Sequence, residues 1–385
     1  MYLYTNSWEQ RKLGELSSIR RGASPRPIQD PKWFDNNSDI GWLRISDVTE
    51  QNGKIFNLEQ KLSEKGQEKT LVLHTPHLIL SIAATVGKPV INYVPIGVHD
   101  GFIAFLNLNT DINFLFQWLE YFQNKWQALG QSGSQVNINS ELVRKQKISI
   151  PRFKEEQTQI GNFFKQLDET IALHKRKLAK LFILKSAFLT SIFCTRNIQI
   201  HTQNPISWEQ RKLGDIAKIT IGEFVIQTKQ DDSYPYPVFN GGSSNTGFYN
   251  EFNNEGNKIL ISARGANAGF INIIKTRYWA GNSCYSIDLL NKNLFDIDYV
   301  YYEMKRTQSK FTDYKQSANI PSVSKNNVEN LVIKVPNINE QTQIGNLFKQ
   351  LDETIALHKR KQRKYQQIKQ VFLSKMFTFN NYTKY

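Results

Sequence analysis

The sequence predicts an α+β protein: two pseudo-twofold-related mixed α/β domains joined by two long helices that form an antiparallel coiled coil. Three observations predict it. The heptapeptide WEQRKLG occurs at Trp8–Gly14 and again at Trp208–Gly214, an offset of 200 residues (208 − 8). A 22-residue segment at Glu156–Lys177, EQTQIGNFFKQLDETIALHKRK, returns at Glu340–Lys361 with an offset of 184 (340 − 156), and Phe163/Leu347 is the only difference. The stretches between these tags, residues 15–150 and 215–335, are each large enough for a domain, and 385 residues exceed one ordinary core.

Each copy runs short tag, variable segment, long tag. The offsets differ by 16 residues (200 − 184), so the intervening segments differ in length. Two copies do not make a solenoid, whose units are shorter and more numerous. Plain gene duplication without functional meaning is the bland alternative, and near-identical tags around divergent segments argue against it. The implied boundaries are 1–153 for the first domain, 154–195 for the first helix, 196–337 for the second domain, and 338–385 for the second helix and tail.

The variable segments read as mixed α/β. Strand-like runs are Leu78–Ile82, Phe102–Leu106 and Lys147–Ile150 in the first, and Lys258–Ser262, Phe270–Ile274, Tyr285–Leu289 and Leu331–Val335 in the second. Helices are expected at Asn113–Leu129 and Asp298–Tyr314. The segments read as distant copies: SIAATVGKPVIN (Ser81–Asn92) corresponds to SARGANAGFIN (Ser262–Asn272), each a small-residue loop between strands. VHDGFIAF (Val98–Phe105) corresponds to AGNSCYSI (Ala280–Ile287), and QSGSQVNI (Gln131–Ile138) to QSANIPSV (Gln316–Val323).

The long tags carry a helical seam. Ile160, Phe164, Leu167, Ile171, His174, Leu178, Leu181, Lys185, Phe188 and Ile192 alternate steps of four and three. The second series is Ile344, Phe348, Leu351, Ile355, His358, Gln362, Tyr365, Lys369, Phe372 and Met376, weaker towards its end. A 3.5-residue period sustained this long predicts coiled-coil packing. Pro151 and Pro336 stand just upstream, where helices begin. His174 and His358 fall on the seam, where a register-setting polar contact is expected rather than a metal ligand. The Lys-Arg clusters at His174–Lys177 and His358–Lys361 read as solvated faces that can also touch phosphate or a partner.

Composition points to the partner. With 49 Lys and Arg against 34 Asp and Glu the net charge is +15, which favours a polyanion, nucleic acid before acidic membrane. Cys194 and Cys284 alone make neither a disulfide framework nor a zinc set. The start MYLYTNSWEQRKLG has no signal-peptide pattern, and no apolar run approaches a membrane span. The expectation is a soluble, cytoplasmic protein.

Candidate nucleic-acid contacts are the basic, aromatic and small polar side chains of the loops, suited to phosphates and base edges. The first domain offers Arg20, Arg21, Arg26, Trp42, Arg44, Lys88, Ser132, Ser134, Gln135 and Asn137. The second offers Lys229, Tyr236, Asn240, Arg264, Asn267, Lys315, Ser317 and Asn319. The alternative for any single residue is an ordinary surface turn.

Catalytic signatures are missing. No GxGxxG opens a helix, no [DN]PP[YF] tetrapeptide occurs (Asn204-Pro205-Ile206 is nearest), and TVGKPV lacks the frame of a phosphate loop. His74 and His77 read as loop histidines rather than metal ligands. Asp298, Glu303 and Lys305 loosely resemble a nuclease set but fall in a helix. No catalytic residue, metal site or cofactor is expected on this chain.

The duplicated WEQRKLG tags, the duplicated EQTQIGNxFKQLDETIALHKRK helices and the two divergent domains together resemble the specificity subunit of type I restriction–modification enzymes, over essentially the whole chain. The resemblance implies two target recognition domains, each reading one half of a bipartite, asymmetric site in double-stranded DNA. It implies a helical spacer that sets the half-site distance and helps dock two modification (methyltransferase) subunits and restriction (translocase/endonuclease) subunits. S-adenosylmethionine, ATP and Mg2+ would be held by those partners, and this subunit would be non-catalytic. The competing readings are a coiled-coil scaffold without DNA readout and a self-sufficient DNA-modifying enzyme.

Overall fold

The computed structural model describes residues 8–129, 138–194, 208–313 and 322–379. The chain divides into two compact units, Met1–His174 with Lys361–Tyr385, and Lys175–Arg360.

In the first unit the short tag becomes the strand Trp8–Lys12, which pairs antiparallel with Lys147–Pro151, Trp8 opposite Pro151. A five-stranded sheet follows in the order Ser18–Arg21, Phe102–Leu106, Leu78–Ser81, Pro89–Asn92, Lys54–Ile55. Its three inner strands, Phe102–Leu106, Leu78–Ser81 and Pro89–Asn92, are buried almost throughout because both faces are covered, whereas the edge strand Ser18–Arg21 buries Ile19 alone of its four residues. Leu78, Leu80, Ile103 and Phe105 face a core closed by the helix Ile112–Leu129, while Ile79, Phe102 and Ala104 join Leu43, Ile96 and Val98 on the other side. A small sheet runs Gly41–Leu43, Ile96–Val98, Leu71–Leu73.

The second unit repeats this frame. Glu209–Lys212 pairs antiparallel with Val332–Val335. The main sheet runs Ala217–Ile221, Cys284–Leu289, Lys258–Ser262, Ile271–Ile274, the order of the first unit without its fifth strand. In both units the small sheet contains one parallel pair, Gly41–Leu43 on Ile96–Val98 and Val238–Phe239 on Trp279–Ala280. The third strand differs: Leu71–Leu73 lies beside Ile96–Val98, whereas Gly247–Tyr249 lies beside Tyr236–Phe239.

One expected helix is divided. Instead of a single element over Asp298–Tyr314, helices span Ile297–Arg306 and Gln308–Asp313. Thr307, buried between them, turns its hydroxyl onto the carbonyls of Glu303 and Met304, 3.2 and 3.1 Å away, and its backbone leaves the helical region. The three residues resembling a nuclease set are dispersed among structural partners. Buried Glu303 accepts two hydrogen bonds from Arg306, Lys305 donates to the Ile271 carbonyl, and Asp298 pairs with Lys275.

The long tags are the helices Lys154–Cys194 and Ile338–Phe379. Within each unit, segments of the two run antiparallel. In the first, Phe163 meets Phe372, and His174 stacks on Tyr365 at 5.8 Å. In the second, Phe193 stacks on Phe348, and Lys359 lies over Phe182. All ten seam positions of the first helix are buried or half-buried. The second seam departs at its end: Phe372 is 42% exposed, while Leu373 and Phe377 are buried. The α-helical period drifts from a strict heptad, and four-residue steps bring Leu373 and Phe377 into the first core, where Phe377 packs on Trp8 and Phe114.

Register is fixed by a reciprocal pair of ions. Lys369 donates to Asp168 at 2.6 Å in the first unit, and Lys185 to Asp352 in the second. Both members repeat at the tag offset (369 − 185 and 352 − 168 are both 184). A domain side chain completes each pair: Gln117 donates to Asp168 at 2.7 Å, and Tyr302 to Asp352 at 2.8 Å.

Candidate nucleic-acid interface

At matching places in each unit, several loops meet. The first junction is the exit from the strand Ser18–Arg21 and from its counterpart Ala217–Ile221. The Gly22 N–H donates to the Phe102 carbonyl at 2.9 Å and that of Ala23 to Val98 at 3.0 Å; 200 residues later Gly222 donates to Cys284 and Glu223 to Ala280, at 3.0 and 2.9 Å. Only glycine fits here, because a Cβ on Gly22 would lie 2.3 Å from the Val98 and His99 oxygens, and one on Gly222 2.2 Å from that of Ala280.

Beside it lie the small-residue loops expected from the sequence. Ser81 and Ser262, both buried, close them by donating to the carbonyls of Ala83 and Arg264. Gly87 (φ +80°) and Gly269 (φ +83°) end them against aromatic side chains of the following helices. A Cβ would stand 2.6 Å from Trp126 Cδ1 in the first unit and 2.7 Å from Phe311 Cβ in the second. The turns that follow the small parallel strands complete the rim. Ile82 donates to the Gly101 carbonyl at 2.9 Å, and Ala263 to that of Ser283 at 2.7 Å.

The first unit places Arg21 and Arg26 on this rim through Asp100. The Arg21 Nε donates to the Asp100 carbonyl at 2.7 Å, Arg26 Nη2 to the Asp100 carboxylate at 2.8 Å, and the Ser24 hydroxyl to the same carboxylate at 2.9 Å. Burial works against the charge on Asp100, yet the Ser24 hydrogen bond and the neighbouring His99, Arg26 and Arg21 hold its carboxyl below the usual range. Burial pushes the adjacent His99 down, opposed by Asp100. Arg20 is exposed on the strand Ser18–Arg21. Trp42 is 2% exposed and belongs to a small core with Ile40 and Leu62, where its ring meets His99 edge-on; it supports the rim from beneath. Arg44 closes a helix start by pairing with Asp47, 3.1 Å away. Lys88 donates to Asn52, outside the Asp100 group.

In the second unit the structure brings Asn240 and Arg264 to one rim. Asn240 accepts from the Ser283 N–H at 3.3 Å, Arg264 bridges to Ser322, and Val323 donates to the Ala263 carbonyl at 2.8 Å. Asn267 is exposed on the same loop. Arg44 and Asn240 are equivalent, since each follows the small strand that pairs in parallel with another, Ile96–Val98 in the first unit and Trp279–Ala280 in the second. Beneath Asn240 the buried Cys284 thiol, pushed up to about 11 by burial, accepts from the Gly241 N–H and is held as a packing group. Tyr236 and Lys229 stand apart from this rim. Tyr236 packs on Phe252, beneath the Arg277 guanidinium, and Lys229 lies on the single turn Gln227–Lys229. The expected contacts Ser132, Ser134, Gln135, Asn137, Lys315, Ser317 and Asn319 lie outside the described residues. The described chain flanking them is anchored at the rim: Trp126 and Ile138 are buried in the first unit, Phe311 and Val323 in the second.

Sequence reading missed Ser24, His99, Asp100 and Ser283. The signal was present, because the 200-residue offset of the short tag continues to Gly22 and Gly222, which places the following residues on the rim.

Residues 5–182 and 205–370 match the family model of the type I restriction modification DNA specificity domain. The chain belongs to this family. It is 21% identical over 354 residues to the type I restriction enzyme EcoprrI specificity subunit of Escherichia coli, covering 88% of this chain and 86% of that one. It is 26% identical over 184 residues to the type I restriction enzyme MjaVIII specificity subunit of Methanocaldococcus jannaschii, covering 45% and 43%. Its fold is similar to the crystal structure of the type I restriction–modification S subunit from M. genitalium, with a TM-score of 0.74 at 16% identity over 98% of both chains. The model of this domain matches twice in the chain, once per tag pair. Among the described residues, no group of three or more His, Cys, Asp or Glu could hold a metal ion, and no helix is long and apolar enough to cross a membrane.

Proposed function

We propose that this specificity-domain protein is the DNA-reading subunit of a type I restriction–modification complex. Each unit reads one half of a bipartite, asymmetric site in double-stranded DNA. The repeated helices act as spacer and dock two modification subunits, which methylate adenine, and restriction subunits. The chain is non-catalytic, works in the cytoplasm and holds no cofactor; S-adenosylmethionine, ATP and Mg2+ belong to its partners. The observation that carries this reading is one loop rim built twice on one frame with different side chains, Arg21, Arg26 and Asp100 in the first unit against Asn240, Arg264 and Ser283 in the second. Alike frames suit two copies of one partner, and unlike rims suit two different base sequences. Basic side chains supply salt-sensitive affinity for phosphates, and polar ones discriminate base edges by about 1–3 kcal/mol per bidentate contact.

Mapping of methylated adenines made by the chain with its modification partner tests this. A two-part motif is expected, and exchanging residues 15–150 for those of another specificity subunit is expected to change one part and leave the other. A one-part motif, or a change in both parts, contradicts the reading. Methylation by the purified chain alone would establish the enzyme alternative; salt-insensitive or absent DNA binding in the presence of the modification partner would favour the scaffold.

The Asp100 cluster gives a finer expectation. Asp100→Ala frees the Arg26 guanidinium and the Ser24 hydroxyl proton and removes a negative charge from the rim. Non-specific DNA binding is expected to strengthen at low salt, while discrimination in the half-site of the first unit falls. Fluorescence anisotropy over a salt series, with cognate and scrambled duplexes, reads both effects.

A further inference from the structure

The second unit carries an exposed apolar group where the first is basic. Counting on by the 200-residue offset, Ile221, Phe224 and Ile226 occupy the places of Arg21, Ser24 and Arg26. Phe224 is 73% exposed, Ile221 54% and Ile226 41%. An aromatic ring left in water forgoes roughly 1.5–3 kcal/mol of burial, so a fold with no use for it would gain by turning it inward.

Phe224 is exposed although its backbone is held on both sides. Gly222 and Glu223 donate to the Cys284 and Ala280 carbonyls. Two residues after Phe224, the Tyr249 hydroxyl donates to the Ile226 carbonyl at 2.8 Å and accepts from the Ile226 N–H at 2.7 Å. Val225 lies against Gly281, where an added Cβ would meet its Cγ2 at 2.8 Å. With Val225 turned in and both flanks pinned, Phe224 is set outward on a preorganised loop. The same turn, Gly281–Ser283, supports Asn240, so the ring is continuous with the polar rim.

We propose that Phe224 is a specificity-determining residue of the second unit, making an apolar contact with a thymine 5-methyl group in the major groove. This rests on the DNA-reading function proposed above. The thymine methyl is the apolar group that base edges present in the major groove, and Phe is among the side chains that contact it. The counterpart of Phe224 in the first unit is Ser24, a hydroxyl between Arg21 and Arg26 in sequence, which suits polar base-edge atoms, so one frame position presents two chemistries.

The test uses the chain assembled with its modification partner, its methylation motif, and duplexes in which each thymine of the motif, on either strand, is replaced by uracil, which lacks only the methyl. One thymine, in the half-site that changes when residues 215–335 are exchanged, is expected to matter. Its replacement slows methylation by wild type about three- to tenfold, the scale of one or two buried methyl groups. Phe224→Ala is slowed by a similar factor on the thymine site and is indifferent to uracil there, whereas Phe224→Leu retains the preference. The proposal is overturned if that half-site holds no thymine on either strand, or if wild type and Phe224→Ala respond alike to every uracil. It is also overturned if Phe224→Ala loses its modification partner while the assembled remainder reads an unchanged motif, the behaviour of a protein-docking face. A wild-type complex without any sequence preference would instead defeat the DNA-reading function itself, and this proposal with it.

Discussion

Lys369→Ala is expected to destabilise the first unit by about 3–5 kcal/mol, the cost of leaving a buried ion pair without one partner. The side chain of Lys369 is 11% exposed and lies between Glu120 and Asp168, themselves 28% and 16% exposed. Burial opposes its charge, but the two carboxylates outweigh burial and raise the ammonium above its ordinary value. A lysine raised on folding contributes stability that is complete below its unfolded value, about 10.4, and lost as pH rises through the folded one, so the contribution is present at neutral pH. Without Lys369 the two carboxylates face each other with Gln117 as the remaining donor to Asp168. The equivalent Lys185→Ala is expected to cost about 1 kcal/mol. Among the described residues Lys185 pairs with one carboxylate, Asp352, and lies over the Tyr302 ring; the ion pair is more exposed at 21% and 38%, and the place of Glu120 is taken by Lys305 (305 − 120 and 302 − 117 are both 185). Because the chain divides into two compact units, hydrogen exchange of Ile112–Leu129 and Ile297–Arg306 is the proper readout, rather than one global midpoint. Equal loss of protection in the two variants would contradict the account. Adding Glu120→Gln and Asp168→Asn to Lys369→Met should recover most of the loss, because the uncompensated charge is then gone.

These ion pairs mark how far the sequence could be read. The heptad places Lys185 and Lys369 on the seam, and the seam is where the structure has them. Their partners follow only from an antiparallel register, which brings the Asp of one copy to the Lys of the other; no local pattern contains that. Thr307 shows the same limit at shorter range. Asp298–Tyr314 has helical periodicity throughout, and the break depends on a buried hydroxyl choosing preceding carbonyls. Strands were legible where both faces are buried, as in Leu78–Ser81 and Lys258–Ser262, because continuous apolar runs have no other use in a short element. On the rim, small and polar residue types pointed to Asn240 and Arg264. Residue type alone could not tell Trp42, a support beneath His99, from a contact residue, nor show that Asp100 gathers Ser24 and Arg26.

Gly222→Ala is the second large effect, and it tests whether the rim depends on the frame. The added Cβ would stand 2.2 and 2.3 Å from the carbonyl oxygens of Ala280 and Gly281, backbone atoms that cannot move independently of their strand. Relief requires the chain to lift at Gly222 and Glu223, which loses or lengthens their hydrogen bonds to Cys284 and Ala280. Overpacking of about 1–3 kcal/mol and about 1 kcal/mol for each weakened hydrogen bond bring the expected cost to roughly 3–5 kcal/mol. The damage should be directional. The pairing of Ile219 with Ile287 lies deeper in the sheet and should persist, while exchange protection falls at Gly222, Glu223 and Cys284. Because Asn240 leans on the Gly281–Ser283 turn, discrimination in the half-site of the second unit should fall with it, and that of the first unit should stay. Gly22→Ala is the mirror experiment, with the Val98 and His99 oxygens at 2.3 Å and the opposite half-site affected. If both substitutions impair both half-sites equally, the rims are not read independently. If neither alters exchange or motif, the close approach of strand and turn does not hold the rim in place.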